Sequence, residues 1–124
     1  MNDSEDGAGR NRRETPAAVM HGRAARQLVA PVHEKLGLWQ AETIKLEAMA
    51  QRVRAAGRSD PAIAEAARTL LGVVAMQSQM FEAAAAEAIP MVREHTRVID
   101  AQKVLSMLTA RLEALLGELG DKAR

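Results

Sequence analysis

One run in the last third of the chain limits its possible folds more than any other. Val98, Ala101, Leu105, Leu108, Leu112, Leu115 and Leu119 follow one another at +3, +4, +3, +4, +3 and +4, without a gap. That is the 3.5-residue repeat of a helix that lays one narrow apolar seam against another helix. A strand cannot use such a pattern, because its side chains alternate with a period of two. The segment predicts a coiled-coil-like helix whose business is contact.

Two further apolar stripes share this spacing. Leu28, Val32, Leu36, Trp39, Thr43, Leu46, Ala50 and Val53 mark one helix. Ile63, Ala67, Leu70, Val74, Phe81, Ala85 and Ala88 mark another. Gln77 stands on the second stripe and reads as a residue at the seam's edge. Strand-forming runs with period two are missing, so the expected class is all-α.

The punctuation sets the boundaries. Thr15-Pro16 is a helix start, with Thr as N-cap and Pro in the first turn, where a missing N–H costs nothing. Gly57 suits a C-cap because it tolerates the left-handed conformation. Ser59-Asp60-Pro61 opens the next helix, and Gly120 closes the last one. Helices are expected over about 16–57, 60–89 and 91–119. Residues 1–14 read as a disordered polar tail and 120–124 as a frayed one, leaving a helical domain over 15–119. Pro31 predicts a kink or a break in the first helix. Pro90 predicts a kink within a continuous second arm. The expected architecture is a long antiparallel hairpin, about 40 residues against a kinked arm of about 60, or a three-helix bundle if the arm folds back. As a hairpin, the first helix is too short to cover the whole Val98–Leu119 seam.

Composition sharpens this reading. The chain holds 25 Ala but only 12 Leu, with one Phe, one Trp and no Tyr. Ala forms helix readily, yet buries little area. A thin core in a small chain often needs a partner. Lys and Arg number 17 against 16 Asp and Glu, so the strong basic excess of a nucleic-acid binder is absent. There is no Cys, which excludes disulfides and thiol chemistry. No apolar stretch follows the polar N-terminus as in a signal peptide, and no run is long enough to span a membrane. A cytoplasmic location is expected.

No catalytic constellation emerges. His33-Glu34 and Glu94-His95 are adjacent pairs, not the i, i+4 or Glu-x-x-His spacing of helical metal sites. His21-Gly22-Arg23 lacks the lysine expected beside a phospho-accepting histidine. Glu42 and Glu47 do not form a close acid pair. The expectation is no enzyme, no cofactor and no metal. Met76 and Met80, one turn apart, read first as core filler and otherwise as surface that repacks against partners.

The segments Glu42–Val53, Leu70-Leu71 through Gln77, Gln79 and Phe81 into Ala83–Ala86, and Val98–Leu119 carry a resemblance. Over roughly residues 25–119 the chain resembles the FlgN-type flagellar, type III export chaperones. The resemblance implies a cytoplasmic chaperone or adaptor that masks an amphipathic segment of a client, here a flagellar secretion substrate. The seven seam residues Val98, Ala101, Leu105, Leu108, Leu112, Leu115 and Leu119 would be the partner-binding clamp, with Arg111 and Glu118 setting orientation. The seam should then exchange its amides quickly until a client binds. One alternative is a structural coiled-coil or bundle homo-oligomer in which the seam pairs with itself. A second is a nucleic-acid-associated regulatory factor using the basic stretch Arg10–Arg26.

Overall fold

The structure is a computed structural model that describes residues 15–120. The polar tail at 1–14 and the last four residues of the expected C-terminal tail lie outside the described residues. Four helices follow in order: α1 (Pro16–Ala55), α2 (Pro61–Ala86), the single turn α3 (Pro90–Arg93) and α4 (Thr96–Glu118). No strand is present among the described residues, and the fold is all-α.

Helix ends form where the local chemistry provides for them. The Thr15 hydroxyl accepts from the Ala18 N–H at 3.0 Å, with Pro16 next in line. The Asp60 carboxylate accepts from the Ala62 N–H at 3.0 Å, and Pro61 opens α2. Gly57, at φ 69°, ends α1. The Arg58 N–H then donates back to the Val53 carbonyl at 3.0 Å and the Gly57 N–H to Arg54 at 2.9 Å. These are the two bonds of a Schellman cap, which satisfy carbonyls that the helix leaves orphaned.

The two interior prolines behave differently from each other. Pro31 neither breaks nor ends α1, which runs unbroken through 40 residues, about 60 Å. Pro90 does end a helix, and the continuous kinked arm expected there does not form. Two effects combine. The residue before a proline is pushed out of the helical region, and Ile89 is extended at φ −65°, ψ 155°. Pro90 is then free to start α3. The Arg93 guanidinium donates to the carbonyls of Ala86 and Ala88, both at 3.4 Å, covering acceptors freed at the end of α2. The His95 ring then accepts the Arg97 N–H at its Nδ1, 3.2 Å away, and so caps α4.

This short segment reverses the chain. α4 returns alongside α1 and parallel to it, while α2 lies antiparallel to both. Two ion pairs that join α1 to α4 mark the register. Arg54 meets Glu118 at 2.9 Å, and Glu47 is held by Arg111; each pair joins residues 64 apart. The three-helix bundle is therefore the form adopted.

Its core is one apolar cluster fed by all three long helices. Ala25, Val29, Val32, Leu46 and Ala50 come from α1, and Ile63, Ala67, Leu71, Val74, Phe81 and Ala85 from α2. Leu105, Leu108, Leu112 and Leu116 are the largest fully buried side chains. Each contributes about 1.5–3 kcal/mol by leaving water. Thr43 is the buried polar residue on α1, and its hydroxyl donates to the Trp39 carbonyl at 2.8 Å.

Candidate functional site

The C-terminal seam is the centre of this core. Val98, Ala101, Leu105, Leu108, Leu112 and Leu115 are all buried, and Leu119 is half-buried against the same cluster. The expectation of an uncovered clamp is thus corrected. The reason is the reversal at 87–95: a hairpin would have left α4 beyond the reach of α1, whereas a folded-back α4 lies between α1 and α2. Arg111 and Glu118 change role for the same reason. Their carboxylate and guanidinium partners are on α1, so both pair within the chain. The hydrogen bond that the Arg111 guanidinium donates to the Glu47 carboxylate raises the Arg111 pKa above its ordinary value, partial desolvation opposing it. The guanidinium stays charged throughout the accessible range.

The histidines do not gather. His21 and His95 are half-buried and His33 is exposed. No group of three or more potential metal ligands forms among the described residues. His33 lies by a shallow hollow of about 370 Å³ that also draws in Arg26, Glu34 and Arg97, a set of mixed charge. Of the basic stretch, Arg10, Arg12 and Arg13 fall outside the described residues, and Arg23 and Arg26 are exposed on α1. No helix among the described residues is long and apolar enough to cross a membrane.

An apolar concavity lies where α1 overshoots its neighbours. α4 begins alongside the middle of α1, so the first three turns of α1 have the end of α2, the α3 turn and His95 beside them. Met20, Ala24 and Leu28 from α1 face Ala88, Ile89 and Val92 across a groove of about 720 Å³. Its polar edge is His21 and Gln27. Val92 forms the buried floor, while Met20 is 67% exposed and Ile89 55%. Ile89 faces the groove because Pro90 holds it out of the helix. The groove is about 17 Å long, given 1.5 Å of rise over residues 17–28.

Sequence reasoning missed this site, although its signal was present. Met20, Ala24 and Leu28 step by four along one ridge of α1. That ridge only becomes half of a groove once Pro90 ends α2 opposite to it. Met49 packs half-buried against the core, but Met20, Met76, Met80, Met91 and Met107 are all exposed. Flexible, polarisable side chains on the outside suit adaptable contact surfaces.

Comparison with protein-family models, with curated proteins and with solved structures gives no match for the chain.

Proposed function

We propose that the protein is a cytoplasmic chaperone or adaptor that holds an amphipathic helical segment of a client protein. The groove between the start of α1 and the α2–α3 turn is the holding site. One observation carries this reading: an open, apolar groove three helical turns long, with Met20 and Ile89 standing exposed on its two walls. Helix-in-groove recognition uses such a surface, the client presenting apolar anchors at i, i+3, i+4 and i+7. Most of the affinity would come from a few anchors in the groove. The resemblance to FlgN-type chaperones suggests a flagellar secretion substrate as the client, with its grip moved from the C-terminal seam to this groove.

The test is site-specific photo-crosslinking in cells that make the protein. A photo-reactive phenylalanine at Ile89 is expected to capture one discrete partner protein. Adding Met20→Asp is expected to abolish that product, while far-UV circular dichroism stays unchanged. Crosslinks that form only to other copies of this chain, or that survive Met20→Asp, would refute the reading.

A further inference from the structure

The sulfur chemistry of this chain rests on thioethers alone. It has 7 Met and no Cys, so a two-electron oxidant meets no thiol that would take the oxygen first. Met1 lies outside the described residues, and Met49 is half-buried against the core. The other five stand in solvent: Met20 is 67% exposed, Met91 62%, Met76 60%, Met80 59% and Met107 42%. Of these five, Met20 is the most exposed, and it is the one that lines the apolar groove. Met76 and Met80 lie on the outer face of α2, away from it.

We infer that Met20 is a reversible oxidation site, and that a hydroperoxide acting on it weakens the groove's hold on an apolar ligand. The inference rests on the client-holding reading above and names how that same site is regulated. The thioether sulfur offers a lone pair to one oxygen of the hydroperoxide. An S–O bond forms as the O–O bond breaks. Sulfur gives up two electrons, and the departing hydroxide or alkoxide takes the hydroxyl proton and leaves as water or an alcohol. The product, methionine sulfoxide, is polar where the thioether was apolar. Methionine sulfoxide reductases reverse the step: the oxygen leaves as water while two thiols of a dithiol reductant become a disulfide.

Position gives this common reaction its effect. Met20 forms one wall with Ala24 and Leu28, opposite Ala88, Ile89 and Val92, none of whose side chains can donate to a new oxygen. The polar edge is too far off to help: His21 points about 100° round the helix from Met20, and Gln27 lies about 10 Å along it. In the free protein, water solvates the sulfoxide. An apolar anchor laid across it strips that water and leaves a buried acceptor unpaired, which weakens binding about tenfold. Leu fills a comparable volume without the reactivity, so Met20→Leu separates the shape of the wall from its chemistry.

The test takes the full chain with the photo-reactive phenylalanine at Ile89, oxidises it with hydrogen peroxide, and returns it to a lysate of the cells that make it. Peptide mass spectrometry is expected to find one added oxygen on Met20 while Met49 keeps its thioether. The crosslinked partner product is expected to fall about tenfold, with circular dichroism unchanged, and to return after treatment with the reductases and a dithiol. In Met20→Leu the ratio of product after oxidation to product before it should stay near unity, whatever the yield of that variant. Met76→Leu/Met80→Leu should remain as sensitive as the parent. Met20 left unmodified while Met76 and Met80 are oxidised overturns the inference. So does a parent product indifferent to peroxide, a Met20→Leu product lost as fully as the parent's, or a loss that the reductases do not reverse. A parent chain that gives no partner product before oxidation overturns the client reading itself, and the switch with it, so the two failures are told apart.

Discussion

Leu108→Ala separates a sealed seam from an open one. Leu108 is fully buried between α1 and α2 in the middle of the core. Truncation removes its transfer free energy and leaves a cavity that rigid helices on both sides cannot close, a loss of about 2–5 kcal/mol. A domain of this size has about 5–15 kcal/mol in total. At the middle of both ranges the variant should therefore lose about a third of its stability. Urea unfolding followed at 222 nm measures this. With a slope of about 1.5 kcal/mol/M, a loss of 3 kcal/mol lowers the midpoint by about 2 M. Ile44→Ala is the control, since Ile44 is 52% exposed on the same bundle; its cost should stay near 0.5 kcal/mol. If Leu108→Ala costs no more than Ile44→Ala, the seam is not the core and the three-helix packing is wrong.

Two further outcomes follow from the backbone and the ion pairs. Gly37 lies inside α1 with open space where an added methyl group would point, so Gly37→Ala should add about 0.5–1 kcal/mol in the same urea assay. Gly57 has equal space but φ 69°, so Gly57→Ala should instead cost about 1–2 kcal/mol. The Glu47–Arg111 pair is about one-third exposed, and a double-mutant cycle should return about 0.2–1 kcal/mol, falling as salt is added. Because the folded chain raises the Arg111 pKa, the guanidinium's share of that coupling is present below its unfolded value and lost only above it. The difference in thermal midpoint between the parent and Arg111→Gln should therefore stay level from pH 7 to 10.

The sequence by itself determined the helices, most of their ends and the faces they bury. Thr15, Gly57, Asp60 and Pro61 act through neighbours two to four residues away, so their effect is written locally. Likewise, the 3.5-residue spacing from Val98 to Leu115 marks one side of α4 for burial, wherever the covering surface comes from. What covers it is not local information. The hydrophobic effect has no direction and no preference between the same chain and another. That choice was made at residues 87–95, where Ile89 is held extended before Pro90, Arg93 closes the end of α2, and His95 starts α4. The reversal laid α4 beside α1, sealed the leucine seam inside, and left the start of α1 and the outer face of α2 bare. Only the tertiary structure could decide which apolar faces remained uncovered, because their exposure depends on where the other helices came to rest.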